Sequence, residues 1–202
     1  MRIVDKFEDY EDAESFNSET TLDDDTKLLI VGTLTPPDGK GKYFYSTTPN
    51  YIYGLIDEAL EVPNNNNDGV KLEELKREFN CDKSNNKKIR EEIKKYLKKN
   101  KIAFLDVIKY AKRNKHSPDD RKIIVAELDY GAFEDLINVK RIIANSKDAK
   151  KYLEKILDKV PNGSIYKNKI IYLSQTSRRF TSEGWEKERE NWVKEIRNTL
   201  GI

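Results

Sequence analysis

The chain contains few of the residues that build covalent or metal-held scaffolds. Its 202 residues include one cysteine (Cys81), one histidine (His116) and one methionine. A single thiol excludes a disulfide framework and a thiolate-ligated zinc or iron–sulfur site. A zinc site with one imidazole would need an unusual set of carboxylates. We therefore expect neither a metal nor any other cofactor.

Long apolar runs and a leader-like N-terminus are also missing. No apolar stretch approaches the roughly 20 residues that span a bilayer. The first ten residues, MRIVDKFEDY, lack the basic and apolar regions of a signal peptide. The sequence thus predicts a cytoplasmic protein with no membrane partner, and we expect a monomer. Hydrophobic residues make up 37% of the chain, enough for the core of one domain over residues 1–202.

Charge is nearly balanced overall, with a net value of +2, but it is uneven along the chain. The acidic N-terminal segment, residues 1–26, has two basic and ten acidic side chains, whereas residues 83–115 have thirteen basic and three acidic ones. This asymmetry is typical of a polyanion-binding face beside an acidic flank. A solvated, lysine-rich helix would give the same pattern, so charge alone does not decide between the two.

Short apolar runs alternate with amphipathic stretches. Strands are predicted at 27–32, 101–107, 139–144 and 169–173, and helices at 50–60, 85–100, 147–157 and 184–200. This order predicts an α/β protein, a three-layer α/β/α sandwich around a mostly parallel four-stranded sheet. Ligands bind outside the carboxyl ends of the strands in such sheets. The segments at those ends are 33–50, 106–120, 145–147 and 174–181.

These strand-end segments, taken in order, resemble motifs of the uracil-DNA glycosylase superfamily. The resemblance is nearest to its mismatch-specific uracil and hypoxanthine branches. The matching stretches are LLIVGTLTPP…KYFYSTTPNYIYGLID (28–57), IAFLDVIKYAKRNKHSPDD (102–120), IIANSKDAKKYL (142–153) and IIYLSQTSRRF (170–180). The resemblance implies a glycosylase-like fold, single- or double-stranded DNA as partner, and a monofunctional enzyme. Such an enzyme flips out a damaged or modified base and hydrolyses its N-glycosidic bond.

The resemblance also implies roles for individual residues. Asn50 would position water, Tyr45 or its neighbour Phe44 would stack on the extruded base, and Asn145 would read the edge of that base. Asp106 would hold water. Contacts to the DNA backbone would come from one loop, with Ser174, Thr176, Ser177, Arg178 and Arg179.

Each role has a structural alternative. Asn50 could simply cap a helix, Phe44 could pack in the core, and Asn145 could satisfy backbone groups in a turn. Asp106 could bind a loop backbone, and the arginine-containing segment could be an exposed basic loop. Several positions also depart from the motifs. Leu34 lies at about the motif position where the mismatch enzymes have their catalytic asparagine, and Ser146 replaces the glycine that follows the base-reading asparagine.

The departures leave the excised base open among uracil, hypoxanthine and a modified pyrimidine such as those of bacteriophage DNA. Two other functions compete with base excision. One is a DNA-binding member of the family without catalysis, and the other is an α/β enzyme acting on free nucleosides. Salt separates DNA binding from nucleoside binding, because counterion release makes only DNA affinity fall steeply with salt.

Overall fold

The computed structural model describes residues 10–34, 43–45, 50–61, 71–81, 85–114, 123–174 and 182–202. Its strands are β1 (Tyr10–Glu14), β2 (Leu28–Gly32), β3 (Ile102–Asp106), β4 (Ile108–Asn114), β5 (Ile123–Leu128), β6 (Arg141–Ala144) and β7 (Ile170–Tyr172). Its helices are α1 (Ile52–Ala59), α2 (Leu72–Cys81), α3 (Asn86–Lys99), α4 (Lys147–Leu157), α5 (Gly163–Lys167) and α6 (Ser182–Leu200). Within these ranges, no helix has the length and apolar character needed to cross a membrane.

Four strands form a parallel sheet in the order β3-β2-β6-β7, which confirms the predicted central sheet. Strand β2 pairs with β3 on one side and β6 on the other, so Leu28 stands opposite both Ile102 and Arg141. Every residue of β2 and β3 is buried. Because both faces of the sheet are covered, these strands have continuous apolar sequences and do not alternate with polar residues.

Two apolar cores lie on the two faces of this sheet. Leu28, Ile30 and Phe104 belong to the first core, together with residues of α1, α2, α3 and α6, and we call this side the α1 face. Leu29 and Val31 belong to the second, together with α4, α5 and parts of β1 and β4. Successive strand residues thus alternate between the two cores. The predicted three-layer arrangement is confirmed.

A second, antiparallel sheet of order β1-β4-β5 was not predicted, and its strand β4 takes up residues 108–114 of the segment that follows β3. Strand β4 begins only two residues after β3 ends, and the N–H groups of Val107 and Ile108 still bond to the carbonyls of Gly32 and Thr33. The chain therefore passes from one sheet to the other without a loop. The partner strand β1 has the acidic sequence YEDAE, whose weak apolar signal hides it from sequence analysis.

The free edge of β3 is covered by polar side chains from the acidic N-terminal segment. Three of them donate hydrogen bonds to its carbonyls: Asn17 to Asp106 (2.8 Å), Thr20 to Phe104 (2.7 Å) and Thr21 to Ile102 (2.9 Å). The accepting residues are every second one along the strand, as expected for the carbonyls that face outward. This cover satisfies an edge that would otherwise be open to pairing with another chain.

Candidate functional site

The carboxyl ends of the parallel strands bring two predicted site residues, Asp106 and Asn145, into one row with Gly32. Gly32 pairs with Asp106 across β2 and β3. On the other side of β2, Val31 pairs with Ala144, and the next residue, Asn145, donates its N–H to the Val31 carbonyl at 3.0 Å. Neighbouring strands lie about 5 Å apart, so Asp106 and Asn145 are about 10 Å apart with Gly32 between them. We call these three residues the edge row. Because side chains alternate along a strand, all three positions face the same side of the sheet as Leu28, Ile30 and Phe104, which is the α1 face.

Gly32 leaves room for two polar groups at the centre of this row. A Cβ at this position would stand 2.6 Å from Tyr45 Oη and 2.7 Å from Asp106 Oδ1, and real Cβ atoms essentially never come within 3.0 Å of another atom. The tyrosine hydroxyl and the carboxylate therefore meet above the glycine backbone. Asp106 is only 2% exposed. We call Gly32, Tyr45 and Asp106 the Gly32 niche.

Tyr45 reaches the niche from a strained backbone. Its φ angle is 55°, in the left-handed region that residues other than glycine rarely adopt. Such a conformation costs about 1–3 kcal/mol and persists only where the surroundings enforce it, often at functional sites. The ring packs edge-on against Phe104, with centroids 5.0 Å apart and planes at 75°. The side chain thus lies across the strand ends, where a stacking residue is predicted.

Phe44, the alternative stacking residue, belongs to the core. It is fully buried, and its ring meets that of Tyr43 edge-on at a centroid distance of 5.0 Å. Its backbone carbonyl accepts a hydrogen bond from the Tyr53 hydroxyl at 2.6 Å. Of the two neighbouring aromatic residues, Tyr45 is therefore the one in the niche.

The side-chain amide of Asn145 has no hydrogen-bond partner among the residues that the structure describes. The residue is 8% exposed. The turn role falls to the next residue, Ser146, whose Oγ accepts the Ala149 N–H at 2.9 Å and caps α4. The amide of Asn145 is thus left with its donors and acceptor available.

Asn50 lies at the start of α1, on the same face of the sheet as the edge row. It is 7% exposed, and its Oδ1 accepts the Ile52 N–H at 3.0 Å. This contact is of the helix-capping kind, so the capping role is present in the structure. Tyr53, in the first turn of α1, stacks on Phe104, with ring centroids 6.0 Å apart and planes at 15°. The first turn of α1 therefore lies beside the strand that ends at Asp106.

A buried lysine from α2, which sequence analysis missed, holds the backbone of Asn50. Lys76 is 5% exposed, its Nζ donates to the Asn50 carbonyl, and it pairs with the Glu73 carboxylate at 3.1 Å. Lysine is seldom fully buried unless it is paired. The signal that marks it is its position in the apolar i, i+3, i+4, i+7 stripe of α2, with Leu72, Leu75 and Phe79.

Asn17, which sequence analysis also missed, fixes the backbone of Asp106. Its Oδ1 accepts the Asp106 N–H at 2.8 Å, while its Nδ2 donates to the Asp106 carbonyl and to Asp129 Oδ2, both at 2.8 Å. One amide therefore holds both backbone polar groups of a niche residue 89 positions away. No local sequence pattern marks such a long-range contact. In the described ranges no three His, Cys, Asp or Glu side chains stand together as a metal site requires.

Ser174 is the one predicted DNA-contacting residue of the fourth segment that the structure describes. Its carbonyl accepts the Trp192 Nε1–H at 3.2 Å, which ties the end of β7 to α6. Its Oγ is buried and has no hydrogen-bond partner among the described residues. The other predicted DNA-contacting residues lie outside the described residues: Thr176, Ser177, Arg178 and Arg179.

The acidic N-terminal segment neutralises part of the basic stretch. Glu19 bonds to Arg90 at 2.9 Å and to Lys94 at 2.5 Å, and Asp23 pairs with Lys98 at 3.1 Å. The hydrogen bond from Lys94 holds the pKa of Glu19 below its ordinary value, despite partial desolvation. Helix α3 precedes β3 and runs against it, so its last turn lies at the amino edge of the sheet, away from the edge row. The cationic face near the row is therefore smaller than the sequence count suggests.

Comparison with known proteins bears on the fold. No protein-family model matches the chain, and no curated protein shows significant similarity to it. Among solved structures, the chain is similar to the solution NMR structure of a proposed uracil DNA glycosylase from Methanosarcina acetivorans. The two share 24% sequence identity with a TM-score of 0.59, over 91% of this chain and 96% of that one. At this level of identity the likeness establishes a shared fold.

Proposed function

We propose that the protein is a DNA glycosylase that hydrolyses the N-glycosidic bond of a damaged or modified base flipped out of DNA. The observation that carries the proposal is the edge row. It sets a buried carboxylate, Asp106, about 10 Å from the amide of Asn145, with Gly32 of the middle strand between them. This separation suits a nucleoside whose base meets the amide while its sugar meets the carboxylate.

Base recognition falls to Tyr45 and Asn145. The Tyr45 ring offers an aromatic surface beside the niche, and stacking of a base on such a ring is worth about 1–3 kcal/mol. The Asn145 amide offers both donors and an acceptor, which a base with a mixed donor and acceptor edge can use together. Uracil and hypoxanthine both have such an edge. The similar archaeal structure is that of a proposed uracil DNA glycosylase, so uracil is the first base to test.

Hydrolysis falls to Asp106, with Asn50 as the second water-holding group. Water attacks C1′ of the sugar, and the Asp106 carboxylate accepts the proton that the water loses. The C1′–N bond breaks, its electron pair leaves with the base, and the base anion takes a proton from solvent. The products are an abasic sugar and a free base.

The carboxylate has a second effect in this scheme, because its negative charge stabilises the positive charge that develops on the sugar. Asn50 can assist without losing its cap. Its Oδ1 accepts the Ile52 N–H, and an amide oxygen has two lone pairs and can therefore accept a second hydrogen bond. Lys76 fixes the Asn50 backbone and Asn17 fixes that of Asp106, so both water-holding residues are positioned from outside the niche.

The test is base release from oligonucleotides that carry uracil, hypoxanthine or a modified pyrimidine, in single- and double-stranded form, followed by alkaline cleavage of abasic sites. We expect release from at least one substrate, unchanged by EDTA. Asp106→Asn should slow it about a hundredfold or more, the usual effect of losing an acid–base group.

Asp158→Asn is the matched control. Asp158 follows α4 at the amino edge of the sheet and pairs with Lys167 on the surface, so its loss should leave base release unchanged. Full activity of a folded Asp106→Asn variant would refute the assigned mechanism. Hydrolysis of free nucleosides, with no release from any oligonucleotide, would replace the DNA glycosylase by a nucleoside hydrolase.

A further inference from the structure

Two aromatic rings at the rim of the site have no role in the chemistry above. Tyr51 and Trp185 contact each other with ring centroids 4.9 Å apart and planes at 48°. Tyr51 is 45% exposed, although it follows the buried Asn50 directly. Trp185 is only partly buried against the core of the α1 face. Large aromatic surface left in contact with water is a common mark of a binding site.

The position of the pair follows from the anchoring of α6. Trp192 is fully buried and donates its Nε1–H to the carbonyl of Ser174, at the end of the parallel sheet. Trp185 is seven residues earlier on the same helical face, which sets it about 10 Å farther along the helix axis. Farther along α6, Glu195 pairs with Arg141 at the amino end of β6, so the opposite direction, from Trp192 to Trp185, leads outward from the carboxyl edge. The aromatic pair therefore stands above the edge row.

We propose that Tyr51 and Trp185 form a stacking platform for an undamaged, unpaired nucleobase that neighbours the extruded nucleotide. The inference rests on the proposed function and extends it to single-stranded or locally opened DNA. Tyr45 lies in the niche and takes the target base, whereas the platform lies outside it and is open to solvent.

A nucleobase fits this surface better than an aliphatic or charged group does. Every base has a π-face, so stacking on an aromatic ring tolerates any sequence. A neighbouring base is also brought to the rim whenever the target base enters the niche, because the two share one backbone. Flipping leaves the neighbouring base without a stacking partner on one side, and the platform replaces the lost stack.

The experiment compares two probes that contain no excisable base. One is a single-stranded thymidine oligonucleotide, and the other is an oligonucleotide of equal length in which tetrahydrofuran spacers replace the bases. We expect the wild-type protein to bind the thymidine probe more tightly and to show quenching of Trp185 fluorescence. Trp185→Leu and Tyr51→Leu should each reduce the preference for the thymidine probe about 5- to 100-fold, the range for losing one base stack. Affinity for the spacer probe should stay within about twofold, because its phosphate contacts are untouched.

Conservative variants and a distant control separate stacking from folding. Trp185→Phe and Tyr51→Phe keep a ring and should retain most of the preference. Ile165→Ala removes an exposed apolar side chain from α5, at the amino edge of the sheet, and should retain all of it. Equal binding of both probes by the wild-type protein, or an unchanged preference in a folded Trp185→Leu or Tyr51→Leu protein, would overturn the platform. Base release is measured separately, so failure of the platform and failure of the glycosylase give different results.

Discussion

The substitution Gly32→Ala tests the niche with a single methyl group. The added Cβ would meet Tyr45 Oη at 2.6 Å and Asp106 Oδ1 at 2.7 Å, and both atoms must retreat by about half an ångström or more to reach normal contact. Displacement of a reacting group by about 1 Å can cost a hundredfold in rate. We therefore expect base release to fall about 10- to 100-fold.

The stability cost should be much smaller than the loss of activity. Overpacking costs about 1–3 kcal/mol, whereas replacing glycine by alanine returns about 0.4–1 kcal/mol through the unfolded state. The φ angle of Gly32 lies outside the left-handed region, so alanine adds no backbone strain there. The variant should remain folded at 25 °C, with a free energy of unfolding lowered by about 0–2.5 kcal/mol.

Two further variants make this test specific. Gly131→Ala is the matched control, because a Cβ at position 131 meets nothing within 4 Å. Its activity should be unchanged, and its free energy of unfolding should rise by about 0.4–1 kcal/mol through the unfolded state alone. Tyr45→Phe removes one of the two atoms that the new methyl group would strike. In a double-mutant cycle it should recover about 0.5–1 kcal/mol of the stability lost in Gly32→Ala. Single-turnover rates and denaturation curves decide the outcome, and a folded Gly32→Ala protein with the wild-type rate would place the chemistry outside the niche.

Two other predictions follow from the hydrogen bonds. Asn50→Asp keeps the cap on the Ile52 N–H and should melt like the wild type, whereas Asn50→Ala should lose about 1 kcal/mol. If Asn50 also holds water, Asn50→Ala should lower single-turnover base release about a hundredfold, and wild-type rates in both variants would leave it only the capping role. Glu19→Gln should lower the free energy of unfolding by less than about 1 kcal/mol at neutral pH, since its ion pairs are partly exposed. Lys94 lowers the pKa of Glu19 in the folded protein, so the ion pairs stabilise the fold above the pKa that Glu19 has in the unfolded chain. This stabilisation is lost as the pH falls through the lower pKa of the folded protein. A stability difference between the wild type and Glu19→Gln that persists in acid would contradict this.

The elements that could be predicted are those whose local pattern agrees with their burial. Helix α4 begins and ends at the predicted residues, Lys147 and Leu157, because Ser146 caps it and its apolar spacing is regular. The parallel strands were predicted because burial on both faces requires continuous apolar sequence. Strand β1 could not be predicted because Ala13 is its one buried residue among those described, and pairing with β4 holds it in place.

The candidate site divides in the same way. The edge row could be predicted because the carboxyl ends of parallel strands meet at one edge, whichever side chains they carry. The left-handed backbone of Tyr45 and the inward turn of Lys76 depend on tertiary packing that no local pattern records. The hold of Asn17 on Asp106 joins residues 89 positions apart, so only the folded chain brings them together.

For the proposed glycosylase, charge counted along the sequence overstates what electrostatics can contribute to DNA binding. Arg90, Lys94 and Lys98 form a stripe on α3, and Glu19 and Asp23 pair with all three and cancel two of their three positive charges. The logarithm of DNA affinity falls linearly with the logarithm of salt concentration, and the slope becomes shallower by about one unit for each phosphate contact that is missing. A weaker phosphate contribution leaves more of the affinity to the bases themselves. Stacking in the niche and on the rim would then decide where the protein stops on DNA, and a base that leaves its duplex readily would be held longest.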